Sequence, residues 1–133
     1  MTMPRYMLDT NIVSDLVRNP AGKAAQHVAR VGSHGIAASI ITAAELRYGC
    51  AKRGSAKLLR QVEAVLAGID ILPLAEPVDV EYASIRANLE ANGQPIGPND
   101  LLIAAHACAL GVPLVTANEE EFSRVRGLKV ENW

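Results

Sequence analysis

The chain has 133 residues, of which half are hydrophobic, and its formal net charge is -1. This length suits one domain with a single core, and the balanced charge gives no overall electrostatic signal for nucleic acid binding. The chain has no apolar run of the roughly 18 to 20 residues that span a bilayer, no pattern of a secretory signal at its start and no zinc-ligand spacing around its two cysteines. We therefore expect a soluble cytoplasmic protein in which residues 1–133 form one domain.

The first part of the chain alternates short apolar runs with helical patterns. Residues 6–8 suit a buried strand, and residues 11–18 carry apolar side chains at helical spacing, with Asn11 as the expected helix cap. A second helical stretch is predicted to stop at Gly32. Residues 35–40 form a compact apolar run bounded by glycine, which is typical of a strand.

The next two helices are predicted from their caps. Thr42 and Glu45 have the spacing of a capping box that opens a helix, and Ser55 precedes an apolar stripe at helical spacing. Residues 69–74 then predict a strand, and Pro73 within it indicates a sheet edge or a strand end.

The remainder of the chain continues this alternation. Residues 76–93 predict a helix that ends at a glycine, and residues 94–98 contain two prolines and a glycine, which is typical of a loop. Residues 99–111 predict an apolar helix, 112–117 a buried strand and 119–125 a short helix. Strands separated by helices indicate an α/β protein with a central parallel β-sheet flanked by α-helices on both faces.

Acidic residues follow successive elements of this pattern. Asp9 follows the first strand, and Glu45 lies in the first turn of the helix after the second strand. Asp100 begins the apolar helix, and Glu121 comes after the last predicted strand. Because the carboxyl ends of parallel strands share one edge of a sheet, we expect three or four carboxylates in one crevice. Clustered carboxylates repel one another unless a cation compensates their charge, and hard oxygen donors favour Mg²⁺ or Mn²⁺. A site of this kind is typical of enzymes that hydrolyse phosphodiester bonds.

Each of these acids also has an ordinary structural interpretation. Asp9 alone is more often a cap or turn residue, Glu45 is explained by its capping box, and Asp100 is favourable at a helix N-terminus. Glu121, within three successive glutamates, suits a solvated helix face. Only the joint position of the acids favours catalysis, whereas His106, among apolar residues, is expected to be a core histidine.

Four segments are distinctive in their order along the chain: MLDTNIVSDL, SIITAAELRYGCAKRG, PIGPNDLLIAAHACALGVPLVT and ANEEEFSRVRGLKVENW. Together they resemble the VapC family, the PIN-domain ribonuclease toxins of type II toxin-antitoxin systems. The closing phrases look most like the subgroup that cuts the anticodon loop of initiator transfer RNA. The resemblance implies a PIN fold with a Mg²⁺ or Mn²⁺ site at the carboxyl edge of its sheet.

The resemblance also implies roles for individual residues. The first three acids of the family fall on Asp9, Glu45 and Asp100. The fourth position falls on Asn118 or Glu121, and its charge favours Glu121. The implied mechanism places the metal ion on Asp9 and Asp100, while Glu45 and Glu121 act through water or on a second ion. Polar neighbours are expected to position water or phosphate by hydrogen bonding: Thr10, Asn11, Thr116 and Asn118.

Binding partners are expected from the basic residues and from the resemblance. Basic residues on the two helices around Glu45 are candidates for RNA binding, although each alone is better explained as solvated surface: Arg47, Lys52, Arg53, Lys57 and Arg60. The resemblance implies a transfer RNA substrate and a cognate VapB-type antitoxin that inserts a basic side chain among the acids. It also implies a toxin homodimer or a toxin-antitoxin hetero-oligomer, promoter DNA bound only through the antitoxin complex, and no membrane partner.

Two other interpretations remain open. Haloacid-dehalogenase-like phosphatases also begin with an aspartate after a strand, but their second aspartate, two positions on, is Asn11 in this chain. A catalytically silent PIN domain would act only as a binding or regulatory subunit. The presence of Asp9, Glu45 and Asp100 counts against that second alternative.

Overall fold

The computed structural model of the protein describes residues 4–133, apart from the side chain of Ser33. Within these residues, five parallel strands form one sheet: β1 (Tyr6–Leu8), β2 (Ile36–Ser39), β3 (Asp70–Leu72), β4 (Leu114–Val115) and β5 (Val130–Glu131). The strand order is β3-β2-β1-β4-β5, so the first strand lies at the centre. The carboxyl ends of all five strands therefore meet at the same edge.

Helices connect the strands and cover the sheet: α1 (Thr10–Arg18), α2 (Lys23–Val31), α3 (Ile40–Arg53), α4 (Ala56–Ala67), α5 (Val78–Ala91), α6 (Pro98–Leu110) and α7 (Glu119–Phe122). A short 3₁₀ helix, Ser33–Gly35, precedes β2. This alternation confirms the expected α/β fold with a central parallel sheet. Along the described part of the chain, none of the helices has the length and apolar character needed to cross a membrane.

The core has two layers, one on each face of the sheet. Met7 and Leu114 lie opposite each other in neighbouring strands and pack in the layer that contains α5 and α6. Leu8 and Val115, one residue further on, pack in the layer formed with α1, α3 and α4. Successive strand residues point to opposite faces, and all four side chains are completely buried. Each such burial stabilises the fold by about 1.5 to 3 kcal/mol.

Two predicted helix caps are wrong. The cap of α1 is Asp9 rather than Asn11, because the Asp9 side chain accepts a hydrogen bond from the Thr10 backbone N–H at 2.8 Å. Helix α3 begins at Ile40, since the Ser39 hydroxyl accepts from the Ile41 N–H at 3.2 Å. The Thr42 and Glu45 pair is therefore not a capping box, and both residues lie inside the helix.

Other boundaries agree with the sequence pattern. Ser55 caps α4 by accepting from the Leu58 N–H at 3.0 Å, and α2 ends at Gly32, whose φ of 88° suits glycine. Strand β3 is an edge strand followed directly by Pro73, as predicted. Strand β4 is shorter than expected, because the Thr116 hydroxyl accepts from the Asn118 N–H at 3.0 Å and starts a turn.

Candidate active site

Four acidic side chains lie at the carboxyl edge of the sheet. Asp9 follows β1, Glu45 lies in the helix after β2, and Glu121 lies in the short helix after β4. Because β2, β1 and β4 are neighbouring parallel strands, these connections leave the sheet side by side. Asp100 reaches the same place from the first turn of α6. We call these four residues the acid cluster.

Asp9 is the most firmly held member of the acid cluster. It is 3% exposed, and its carboxylate accepts hydrogen bonds from the Thr10 N–H and from the Thr116 hydroxyl, both at 2.8 Å. Its own N–H donates to the Val115 carbonyl at 2.8 Å. Burial raises the pKa of Asp9 above its ordinary value, the bonds from Thr116 and Thr10 oppose this, and the charge of Glu45 adds to it. Asp9 is thus both a helix cap and a buried acid.

Glu45 is connected to α1 and α6 through its two carboxylate oxygens. The Thr10 hydroxyl donates to Glu45 Oε1 at 2.6 Å and is also 3.1 Å from the Thr42 hydroxyl. The Asn99 side-chain amide donates to Glu45 Oε2 at 3.4 Å. Thr10 therefore links the backbone next to Asp9 with the carboxylate on α3.

Asp100 and Glu121 complete the acid cluster. Glu121 Oε1 accepts from the Gly97 N–H at 3.3 Å, and Glu121 Oε2 accepts from the Asn118 side-chain amide. The pKa of Asp100 is raised to about 7, first by burial and then by the negative charges of Asp9 and Glu121. A hydrogen bond with Glu121 and the charge of Glu45 raise it further. Burial and the three other acids therefore disfavour the negative charge of Asp100.

The donor set of the acid cluster suits a hard divalent cation. In residues 4–133 the sole ion pair joins Arg86 to Glu90, so no lysine or arginine neutralises the cluster. Across the same residues, no three acidic, histidine or cysteine side chains come close enough to hold a metal ion together. An ion such as Mg²⁺ needs only one or two carboxylates, because it keeps several waters and also binds substrate phosphate. The residues present fit such an ion.

Thr116 and Asn11 brace the turn beside the acid cluster. Besides donating to Asp9, the Thr116 hydroxyl lies 3.4 Å from the Asn11 side-chain amide. The Asn11 side-chain oxygen accepts from the Ala117 N–H at 3.1 Å. Together with Asn118, these residues hold the loop between β4 and α7 against α1.

The predicted acids converge as expected, and the polar residues Thr10, Asn11, Thr116 and Asn118 surround them. Three contacts were missed: the Thr42 hydroxyl, the Asn99 amide and the Gly97 N–H. Thr42 precedes Glu45 by three residues, a spacing that places both side chains on one helix face. The sequence therefore contained a signal that Thr42 lies beside the acid cluster. The Asn99 and Gly97 contacts depend on packing between distant segments.

The basic residues on α3 and α4 are all exposed. Arg53 lines a cavity of about 240 Å³ together with Glu45 and Arg18. The others lie outside the lining of that cavity: Arg47, Lys52, Lys57 and Arg60. The role of these five residues in RNA binding stays a prediction, and Arg53 is the member that shares a cavity with Glu45.

His106 is a buried core histidine, as expected. It is 2% exposed, and its Nδ1 lies 2.9 Å from the hydroxyl of Ser39, which is completely buried. Burial lowers the pKa of His106, so the neutral imidazole is the stable form. This pair connects the end of β2 with α6.

The chain is similar over nearly its whole length to known ribonucleases. The PIN domain family matches residues 6–128. The chain is 34% identical to the tRNA(fMet)-specific endonuclease VapC of Shigella flexneri, over 98% of this chain and 99% of that protein. The chain belongs to the VapC family of PIN-domain ribonucleases. VapC proteins are the ribonuclease toxins of VapBC toxin-antitoxin systems, so the expected enzyme class and toxin function are confirmed.

Solved VapC structures have the same fold. DNA-bound VapBC from Salmonella typhimurium matches with a TM-score of 0.91 and 32% identity, over 98% of this chain and 99% of that one. VapBC2 from Rickettsia felis, bound to a fragment of promoter DNA, matches with a TM-score of 0.86 and 35% identity, over 96% and 98%. The PIN fold is thus confirmed, and the phosphatase alternative no longer applies. PIN-domain nucleases are typically metal-dependent, which agrees with the fit of the acid cluster to a divalent cation.

Proposed function

We propose that the acid cluster hydrolyses a phosphodiester bond of transfer RNA with the help of Mg²⁺, which Mn²⁺ can replace. One observation carries this proposal: four carboxylates from separate elements converge at one sheet edge without a lysine or arginine paired to them in the described residues. The name of the Shigella flexneri relative supports transfer RNA as the substrate, and we place the reaction in the cytoplasm.

Asp9 and Asp100 are the residues that would hold the ion. Asp9 is fixed by hydrogen bonds from Thr10 and Thr116, and Asp100 is the acid whose pKa is raised to about 7 by burial and then by the charges of Asp9 and Glu121. A cation between them would relieve the repulsion that raises this pKa. Bound Mg²⁺ supplies a Lewis acid that lowers the pKa of a water molecule and neutralises charge on the phosphate.

Glu45 and Glu121 orient water in this proposal. Glu45 accepts a weak hydrogen bond from the Asn99 side chain at 3.4 Å, and Glu121 accepts one from the Gly97 N–H at 3.3 Å. A water molecule can replace either of these bonds. The stronger bond from Thr10 holds Glu45 in place while its other oxygen turns to water. The carboxylates align the attacking water and accept its proton, so no covalent enzyme intermediate is required.

The test uses purified protein and a mixture of transfer RNAs. We expect one discrete cut with Mg²⁺ or Mn²⁺ and none with EDTA, detected by mapping the new RNA ends. Asp9→Asn keeps the helix cap but removes a charged ligand, so cleavage should fall at least about 100-fold. Asp70→Asn, on the exposed edge strand, is the matched control and should cleave normally. Full activity of Asp9→Asn would contradict the assignment and would revive the alternative of a silent module.

We also propose that a VapB-type antitoxin neutralises this chain. The unpaired acid cluster can accept a basic side chain from such a partner, and the related complexes contain an antitoxin and promoter DNA. We expect a homodimer or a toxin-antitoxin hetero-oligomer that binds promoter DNA only when the antitoxin is present. Light scattering and DNA mobility shifts, each with and without the product of the adjacent small gene, test this. DNA binding by the toxin alone would contradict it.

A further inference from the structure

A cavity of about 720 Å³ lies beside the acid cluster and has no role in the function proposed so far. It opens between the corner that joins α1 to α2 and the residues that follow β5. Its lining includes polar, basic and aromatic side chains, among them Asn11, Arg18, Asn19, Lys23, Asn132 and Trp133. We call it the corner cavity.

A chain of hydrogen bonds joins the lining of the corner cavity to the acid cluster. Asn11 and Ala117 both line it, and the Asn11 side-chain oxygen accepts from the Ala117 N–H at 3.1 Å. The amide of Asn11 donates to the Thr116 hydroxyl, which in turn donates to Asp9 at 2.8 Å. A chain that passes over the acid cluster would therefore reach this cavity with its next segment.

The corner cavity presents free positive charge, unlike the acid cluster. Arg18 and Lys23 are exposed, and neither makes an ion pair or a side-chain hydrogen bond with another described residue. The one acid in the lining, Asp15, is half-buried and accepts from the Asn19 side-chain amide at 2.7 Å. The lining therefore carries two basic side chains and one acidic side chain, and basic side chains are suited to phosphate.

The corner cavity is also lined by one aromatic side chain, Trp133. The Trp133 ring stacks on His27 with centroids 4.1 Å apart and planes 7° apart, and it meets Tyr6 edge to face at 5.0 Å. Its Nε1 donates to the Glu131 carboxylate at 3.3 Å. These contacts fix the half-buried indole in one orientation. Cations with a rigid aromatic ring are the combination that binds single-stranded nucleic acid, by phosphate contacts and base packing.

We propose that the corner cavity is a nucleotide subsite for the single-stranded RNA that crosses the acid cluster. Arg18 and Lys23 bind a phosphate that flanks the scissile one, and the attached base packs against Trp133. This inference rests on the proposed ribonuclease function and adds where the neighbouring nucleotide is held. It also gives the toxin a basic contact on the α1–α2 side, formed by Lys23 and by Arg18, which also lines the cavity that contains Arg53 and Glu45.

The first test separates substrate binding from chemistry. In the double variant Arg18→Ala/Lys23→Ala we expect KM for RNA to rise about tenfold with kcat nearly unchanged. The slope of log affinity against log salt should fall by about 0.7, since one lost phosphate contact on a single strand accounts for about that much. The matched control, Arg126→Ala/Lys129→Ala, removes the same two residue types from the segment before β5, at the opposite sheet edge, and should change neither value.

The outcomes of this test are distinct. A double variant with wild-type KM and an unchanged salt slope, or one that loses only kcat, would overturn the nucleotide subsite. If the wild-type protein cleaves no RNA, the proposed function fails and the subsite fails with it. Equal urea midpoints for the two double variants and the wild type show that the fold is retained.

The second test uses Trp133 as a local probe. It is the chain's one tryptophan, so its fluorescence reports on the corner cavity. We expect a short single-stranded RNA to quench this emission in the inactive Asp9→Asn variant, with the same dissociation constant as fluorescence anisotropy gives. RNA that binds by anisotropy without changing the emission would overturn the proposal. So would quenching by the antitoxin but not by RNA, because the cavity would then be a protein-docking site.

Discussion

Helix α3 connects two polar regions that differ in how well their groups are satisfied. At its start, the Ser39 hydroxyl accepts from the Ile41 N–H at 3.2 Å and lies 2.9 Å from His106 Nδ1. In its second turn, Glu45 faces the other members of the acid cluster, where the pKa of Asp100 is raised to about 7. The first region holds a neutral, hydrogen-bonded pair, and the second holds several like charges.

The difference indicates which region serves stability and which serves a ligand. A buried pair that is hydrogen-bonded rigidifies the fold. Removal of one partner leaves the other buried without a hydrogen bond, which lowers the free energy of unfolding. Clustered carboxylates without a counter-charge destabilise the free protein and are retained where a cation or substrate compensates them. Substitutions in the two regions should therefore have opposite profiles of activity and stability.

The largest expected effect is on activity. Asp100→Asn should lower kcat/KM for RNA at least about 100-fold, because even the residues that support metal ligands contribute about 10- to 100-fold. Its free energy of unfolding without metal should stay equal or rise, since one repelling charge is gone. Cleavage assays and urea unfolding measure both quantities. A large loss of stability would show that Asp100 stabilises the fold. The two regions would then not differ in the way that we infer.

The opposite profile is expected at Ser39. Ser39→Ala should lower the free energy of unfolding by about 1 to 3 kcal/mol, because it removes the α3 cap and leaves His106 without its partner. The activity of the folded variant should stay within a few-fold of wild type. Ser84→Ala, on an exposed position of α5, is the matched control in urea unfolding. Loss of activity without loss of stability would place Ser39 with the acid cluster.

A smaller loss of activity is expected at Thr10. Thr10→Val removes the hydroxyl that donates to Glu45 at 2.6 Å, and kcat should fall about tenfold. Thr10→Ser keeps the hydroxyl and should restore most of the activity, measured under the same cleavage conditions. Equal activity of the valine and serine variants would mean that this hydrogen bond does not position Glu45.

The smallest effect is a pH dependence of the metal-free protein. The pKa of Asp100 is about 7 in the folded chain against an ordinary value of 3.8, so the folded state binds more protons between these values. Its stability should therefore fall as the pH rises from about 4 through about 7, and then level off. The carboxyl groups that face Asp100 and raise its pKa by their charge are Asp9, Glu121 and Glu45, while the lowered pKa of His106 acts on stability in the opposite direction.

The difference between wild type and Asp100→Asn isolates this effect, because His106 contributes equally to both. Urea unfolding in EDTA at several pH values, followed by Trp133 emission, gives the two curves. We expect the wild-type curve to fall more steeply and to flatten when millimolar Mg²⁺ is added. Parallel curves in EDTA would show that the acid cluster is not under electrostatic strain.

Much of the fold follows from patterns that extend over a few residues. The alternation of buried runs with helical stretches predicted the parallel sheet, Ser55 was found as a cap, and Pro73 indicated the strand at the sheet edge. The caps predicted at Asn11 and Thr42 were wrong because a polar residue two or three positions earlier, Asp9 or Ser39, satisfies the same local rule. Packing selected Asp9 and Ser39, whose backbones leave the sheet in extended conformation.

The sequence by itself determined the fold class, the order of the elements from β1 to α7 and the four candidate acids, because burial periodicity and strand ends are local properties; the last strand, β5, was not predicted. Tertiary structure alone decided the contacts between distant segments: Thr10 with Glu45, Thr116 with Asp9, and Trp133 with His27. These pairs are 35, 107 and 106 residues apart, so their contacts depend on strand order rather than on any local pattern. The raised pKa of Asp100 and the corner cavity arise in the same way, since each exists only where separate elements meet.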